Sequence, residues 1–289
     1  MRTSIKPLVD CRWGQYAPFY NNLKFGKKYH LVGCTALAIA QIMYYWMVQR
    51  GYHRGCKATP KYTTPTNSIA IDALQPIMVF DWRSLVPKPT TAAQKKAVAT
   101  LCEYIAKALR SDFGTAAEGT SAKRTMVVSV VNNYLRLGNA RQVYQATVGA
   151  TQFKDIIYDD LAHGRPVYLS ATSSGGHSFV ADGYDAGTDS FHINWGWNGQ
   201  FDGYYKLNGL NPDYTNYNGS KMAVINIEPE YLLGDANGDG TINIADVMTV
   251  INAANSGKAT KATDINSDGK VTVDDVNIIT EHLIKGDVL

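Results

Sequence analysis

Cys34 and His177 combine reactive side chains with local sequence suited to chemistry. Cys34 opens the run GCTALAIAQIMYYW at 33–46, whose good helix formers, apolar nearly all round, predict a buried helix starting at the cysteine. In the first turn of a helix the unsatisfied N–H groups and the positive end of the macrodipole favour thiolate over thiol. Position alone does not separate a nucleophile from a packing cysteine, since free Cys is among the most buried residue types. A base is needed beside it. His177, in SSGGHSFVADGY, begins a predicted strand, and Gly175 and Gly176 permit a close backbone approach. His192, in FHINW, is the rival, and on a regular strand it faces the same side as Asn194. A thiolate, an imidazole that keeps it ionised and later protonates a leaving amine, and an amide that orients the imidazole make a cysteine acyl-transfer site. Asn194 can supply the amide and Trp195 can shield it from water. Gln15, in WGQYAPFY, and the Cys34 backbone N–H are the candidate oxyanion donors.

The other cysteines carry less information. Cys102 lies in an amphipathic helix predicted from Thr91 to Arg110 and reads as a small core residue. Cys11 and Cys56 sit in irregular polar sequence and could be free or paired. No CxxC pair and no His at zinc spacing accompanies any of the four, which argues against a zinc site. Between the first two helices, Pro60, Pro65, Pro76, Pro87 and Pro89 mark a looping connection. A further helix is predicted around Lys123 to Leu137. Strands are then predicted after Pro166 and over His177-SFVADGY, Ser190-FHINW, Gly203-YYKL and Met222-AVINI, with Asn198-Gly199 as a turn. Helices first and sheet second predict an α+β domain.

The last sixty or so residues repeat themselves. DANGDGTINIAD at 235–246 and DINSDGKVTVDD at 264–275 superpose at a shift of 29, and each is followed by helical apolar spacing. Oxygen donors fall at positions one, three, five and twelve of each loop: Asp235, Asn237, Asp239 and Asp246, then Asp264, Asn266, Asp268 and Asp275. Thr241 and Lys270, at position seven, offer backbone carbonyls, and Gly240 and Gly269 permit the sharp turn at position six. Hard oxygen donors at this spacing can each wrap one Ca²⁺. The preceding segments, YLLG and KATKAT, do not read as entering helices.

The chain is 289 residues, 45% hydrophobic and 18% charged, which excludes disordered, collagenous and coiled-coil classes. Its net charge of +3 hides an asymmetry, because residues 1–228 hold 24 Lys+Arg against 15 Asp+Glu and residues 229–289 hold 4 against 10. The change marks a first domain at 1–228, a linker at 229–233 and a second domain at 234–289. Basic residues are scattered singly, so no nucleic-acid surface is expected. No apolar run is long enough to span a membrane, and the first ten residues hold no signal-type apolar segment.

WGQ at 13–15, GCTALAIAQIMYYW at 33–46, GGHSFVADGYD at 175–185 and FHINWGWNGQFDGYYKL at 191–207 resemble the streptopain family of secreted bacterial papain-like cysteine endopeptidases. The resemblance spans most of residues 5–228. It implies a papain-like fold, a helical lobe beside an antiparallel sheet lobe, acting on protein or peptide substrates. By that resemblance Cys34 is the nucleophile, His177 the general base and acid, Gln15 an oxyanion donor, and Asn194 with Trp195 the orienting and shielding pair. His192 becomes a structural residue. The family also implies a hydrophobic preference just upstream of the scissile residue and a zymogen stage; with 33 residues before Cys34, either the pro-segment has been removed or this member is not controlled that way. Thr35-Ala36 follows Cys34 where the family's type member has Val-Ala.

The duplicated loop-helix units, over about 234–286, resemble a type I dockerin. That implies a small all-α calcium-binding domain with two structural Ca²⁺ sites and a cohesin-type partner. It also implies a secreted or extracellular setting, on a cell surface or scaffold complex. Two other readings use the same residues: a binding protein that keeps the fold and cleaves nothing, and an amide transferase passing through the same thioester.

Overall fold

A helix that is apolar on every side has to be enclosed on every side. In the computed structural model, which describes residues 2–285 except 53–54, 79, 173–174, 230–232, 239–240 and 261, helix α1 (Cys34–Tyr44) begins at the cysteine and is buried from Thr35 to Tyr44. It continues into a π-helical turn at Tyr45–Gln49. Two short ribbons flank it in sequence, β1 (Lys24–Phe25) with β2 (Lys28–Tyr29) and β3 (Tyr62–Thr63) with β4 (Ala70–Ile71). Helix α2 (Ala92–Ala108) starts at a capping box between Thr91 and Gln94 and buries Val98, Leu101, Cys102 and Ile105.

The helix expected over Lys123–Leu137 is broken. A 3₁₀ turn (Arg124–Met126) leads into one α turn, α3 (Val127–Ser129), and then a π turn (Val130–Tyr134). Val127, Val128, Val130 and Val131 are stiff, weak helix formers. The Asn132 amide also leaves the helix to clasp the Ala140 backbone at 2.9 and 3.0 Å.

Strand β5 (Arg141–Tyr144), the single turn α4 (Gln145–Val148) and helix α5 (Ala150–Ala162) have no counterpart in the sequence reading. The expected strands are present as β6 (Val167–Thr172), β7 (Gly176–Asp185), β8 (Ser190–Asn194), β9 (Gly203–Tyr205) and β10 (Lys221–Ile225). With β5 they form one antiparallel sheet in the order β5-β10-β6-β7-β8-β9. Between β8 and β9, Asn198 and Gly199 both take left-handed backbone, φ 57° and 83°, as the expected turn requires.

Alternate strand residues point to opposite faces of the sheet. Tyr168, Val180, Met222 and Val224 join α1 and α2 in one core. Leu169, Phe179, Ala181 and Ile193 meet Phe153, Ile157 and Leu161 of α5 in a second. The sheet is thus covered on both faces, and α1 lies against β6 and β7, the strands next to the site. The segment that leaves β10 is tied down by Trp46 Nε1 donating to the Ile227 carbonyl at 3.0 Å. Asp160 accepts from the Asn226 N–H at 2.7 Å and pairs with Arg165.

Helices α6 (Ile244–Ser256) and α7 (Val273–Lys285) pack through Val247, Val250, Val271 and Ile279 into the expected small all-α unit. Its first loop lies against the helical lobe, where a Cβ on Gly238 would sit 3.4 Å from the Gly51 carbonyl. Cys11 and Cys56 are both buried and free, so the pairing that sequence left open is not made.

The α5 residues Phe153, Ile157 and Leu161 are buried members of the second core, beside Trp195, Leu207 and Leu210 from the loops. Replacing Phe153 by Ala is expected to cost about 3–5 kcal/mol, read as a lower urea midpoint with an unchanged slope.

Candidate active site

Gly33 leads the chain into α1 with φ 84° and ψ 138°, a conformation that side chains resist. A Cβ there would also meet Thr120 Cγ2 at 3.0 Å and its carbonyl oxygen at 3.2 Å. No side chain caps the helix. Its first N–H groups, around Cys34, therefore remain available to an anion. Cys34 is partly exposed, unlike the three other cysteines.

His177 is the second residue of β7, opposite Ala171 of β6, and acts electrostatically on Cys34. Its Nε2 lies 2.9 Å from the Trp195 carbonyl oxygen. A carbonyl only accepts, so Nε2 carries the proton and Nδ1 is left for the thiol. Burial by itself would push the Cys34 thiol up. The hydrogen bond and charge of His177, with bonds from the Ser178 N–H and hydroxyl, outweigh it and bring the thiol down to about 7.

Aromatic rings close in around the imidazole. Trp197 stacks on it at a centroid distance of 4.8 Å, Trp195 lies nearly parallel at 6.1 Å, and Tyr217 is at 5.4 Å. Trp195 is itself fully buried, and its N–H donates to Asp202 at 2.9 Å. The residue that presents the acceptor carbonyl is thereby held through its own N–H, and the Gly196 N–H of the same peptide as the carbonyl is held by Asn194 Oδ1 at 3.0 Å.

Asn194 does not orient His177. Its Nδ2 donates to the Cys11 carbonyl at 2.8 Å and its Oδ1 accepts from the Gly196 N–H at 3.0 Å. Both halves of the amide are spent on backbone, and the expected role falls to the carbonyl of the next residue. Asn194 instead joins the N-terminal arm to the loop after β8. His192 is not at the thiol either: its Nδ1 is 2.6 Å from Asp182, whose other oxygen accepts from the Val9 N–H.

Gln15 is brought beside the approach to α1, with its carbonyl accepting from Val32 N–H at 3.3 Å. The Trp13 carbonyl accepts from Asn198 N–H at 3.0 Å, and a Cβ on Gly14 would collide with the Asn198 side chain at 2.6 Å. The WGQ segment thus rests on the same loop that carries Trp195 and Trp197. Sequence reasoning missed Ser178, Trp197 and Tyr217. The first two stand beside quoted motif residues, whereas Tyr217 lies in an Asn-rich loop with no signal.

In the C-terminal unit the two loops repeat one hydrogen-bond pattern. Asp275 accepts from the Asn266 and Thr272 N–H groups at 3.2 and 2.8 Å. Asp246, 29 positions earlier, accepts from the Asn237 and Asn243 N–H groups at 3.0 and 2.9 Å. Asp264 accepts from Asp268 and Gly269 N–H groups, and Asp268 from the Lys270 N–H. Asp239 lies outside the described residues. Among the described residues no three His, Cys, Asp or Glu side chains converge as a ready metal cluster. The donors that line each loop are nonetheless all oxygen, and Gly269 takes φ 85° at the sharp turn, a set that fits a hard cation.

Fold and site together define a papain-like arrangement in which a cysteine at a helix N-terminus is brought to a histidine near the start of a sheet strand. The chain belongs to the Peptidase C10 family, whose model matches residues 13–205, and residues 233–284 match the dockerin type I domain. Dockerin type I domains bind calcium. Streptopain of Streptococcus pyogenes is 27% identical over 216 residues, covering 68% of this chain and 52% of that protein. A thiol protease/hemagglutinin of Porphyromonas gingivalis is 28% identical over 237 residues, 75% of this chain and 26% of that one. The active interpain A cysteine protease of Prevotella intermedia superposes with a TM-score of 0.71 at 29% identity, over 78% of this chain and 95% of that structure. The chain thus spans about half the length of streptopain. Among the described residues no helix is long and apolar enough to cross a membrane.

Alkylation of Cys34 by iodoacetamide is expected to rise with pH through a midpoint of about 7, and His177→Ala should move that midpoint upward, since burial then acts with less opposition. Asn194→Ala should lower the melting temperature while leaving the midpoint in place, because the Trp195 carbonyl stays.

Proposed function

We propose that the chain is a cysteine endopeptidase, with a peptidase domain over 1–228, a linker at 229–233 and a dockerin-like domain over 234–289. The observation that carries this reading is the Cys34–His177 pair at a helix N-terminus, with the imidazole tautomer set by the Trp195 carbonyl. Cys34 Sγ attacks the scissile carbonyl carbon. The Cys34 N–H and the Gln15 side chain receive the oxyanion. His177 Nδ1 delivers its proton to the departing amine as the C–N bond breaks, leaving a thioester. A water then loses a proton to the same nitrogen, attacks the thioester and releases the acid, restoring thiolate and imidazolium. Acyl transfer balances with water alone and calls on no cofactor.

Calcium is assigned a structural role in the two C-terminal loops. Asp235, Asn237, Asp239, Asp246 and the Thr241 carbonyl would hold one ion, and Asp264, Asn266, Asp268, Asp275 and the Lys270 carbonyl a second. The dockerin match supports a cohesin-type partner and an extracellular setting on a scaffold or surface. The streptopain likeness supports secretion.

Casein or peptide hydrolysis under reducing conditions tests the peptidase reading. Cleavage is expected in the intact protein and its loss in Cys34→Ala and after treatment with a thiol-alkylating epoxide; intact substrate in every sample would refute it. Calorimetry of the EDTA-stripped protein should show two bound Ca²⁺, and the absence of heat would remove the calcium assignment.

A further inference from the structure

Lys221 opens β10 and is only 6% exposed, which is rare for a lysine. It stands opposite Ala171 of β6, which stands opposite His177 of β7. Residues directly opposite in antiparallel strands share a face, so Lys221 and His177 lie on one face of the sheet, two strands or about 10 Å apart. Burial alone acts on the ammonium, pushing its pKa down, so among the described residues no carboxylate offsets its charge. Its Nζ donates instead to two carbonyls of the loop entering β10, that of Asn218 at 2.8 Å and that of Gly219 at 3.4 Å. A buried cation held by neutral carbonyls alone is a costly way to secure a turn. This turn is the one that carries an aromatic ring to the imidazole: Tyr217 precedes it, with its ring 5.4 Å from His177 and 5.6 Å from Trp195.

We propose that Lys221 is a positioning residue for His177, which it serves by clasping the Asn218–Gly219 turn and so holding Tyr217 against the imidazole. The shape of the loop comes from within it. Asn218 Oδ1 accepts from the Leu210 N–H at 2.9 Å, its Nδ2 donates to Asn211 Oδ1 at 2.9 Å and to Asn216 Oδ1 at 2.6 Å, and the Tyr217 N–H donates to the Leu210 carbonyl at 2.9 Å. None of these bonds reaches the sheet. The place of the loop on the sheet comes from Lys221 and from the Gly219 N–H, which donates to the Thr172 carbonyl at the end of β6 at 3.0 Å. A Cβ on Gly219 would collide with Thr172 Oγ1, so the turn sits tight against that strand. Bonds to an ionised donor are the stronger ones, which makes Lys221 the firmer of the two anchors. Tyr217, with the two indoles, keeps water from the bond between His177 Nε2 and the Trp195 carbonyl, and that bond leaves Nδ1 to Cys34. This inference rests on the reading of His177 as the general base.

The test is the solvent exchange rate of the His177 Nε2 proton, followed by ring-nitrogen NMR in the full chain with Cys34 alkylated and the ring neutral. Lys221→Met is expected to speed exchange about tenfold or more, the effect of losing a charge-assisted bond. Lys221→Arg, which keeps the charge and the donors, should stay close to the parent. Tyr217→Ala, a change in a half-buried ring on a loop, should match the fast exchange of Lys221→Met. A lysine that only stabilised the sheet would lower the melting temperature and leave exchange where it was, and unchanged exchange in Lys221→Met would overturn the proposal. Should Lys221→Met fail to fold, slow exchange in Tyr217→Ala would do the same. A parent ring that carries its proton on Nδ1 would instead overturn the reading of His177 as the base facing Cys34, and this proposal with it.

Discussion

The site depends on one hydrogen bond, from His177 Nε2 to the Trp195 carbonyl. Without it the imidazole could carry its neutral-form proton on either nitrogen, and only one choice leaves a base facing Cys34. Much of the nearby structure serves to keep that carbonyl still. Asp202 takes the Trp195 N–H, Asn194 bridges the Gly196 N–H and the Cys11 carbonyl, and Gly196 lies where a Cβ would meet Leu37 of α1 at 2.9 Å. The indoles of Trp195 and Trp197 keep water from competing for the bond. A backbone acceptor suits this purpose, because its position is set by the sheet rather than by a rotamer.

The sheet and α1 bring the two halves of the site together by a simple geometric rule. α1 has no polar face and must be enclosed, so its N-terminus is pressed against β6 and β7, where His177 begins its strand. The opposite face of the sheet is closed by α5. The buried Asp182, paired with the half-buried His192, and the bond from Val9 then fasten the N-terminal arm to β7 and β8, and with it the WGQ segment. Stability and chemistry thus draw on the same strands, β7 and β8.

Cys34 and His177 were legible in the sequence because each is fixed by a local rule: a cysteine opening an apolar helix, and a histidine after two glycines at a strand start. The role given to Asn194 was not, since residue type cannot tell whether a side chain or the next backbone carbonyl faces the imidazole. Helix α5 was passed over although Phe153, Ile157 and Leu161 have helical spacing, because the charged and polar residues between them dilute the pattern. The break in the segment 123–137 reflects its valines and the competing bonds of Asn132, a contest between local propensity and tertiary partners. The C-terminal loops were legible because the motif occurs twice, and Asp246 and Asp275 make matching backbone bonds. Tyr217 was out of reach, since only the folded loop brings it to His177.

The most direct measurement is the nitrogen NMR spectrum of the His177 ring in the protein with Cys34 alkylated, where the imidazole is free of the thiolate. A proton on Nε2 and a bare Nδ1 is the expected result, with the Nε2 proton shielded from exchange by the indoles. A neutral ring protonated on Nδ1 would contradict the account, because the Trp195 carbonyl would then have no donor to hold and the imidazole no base to offer.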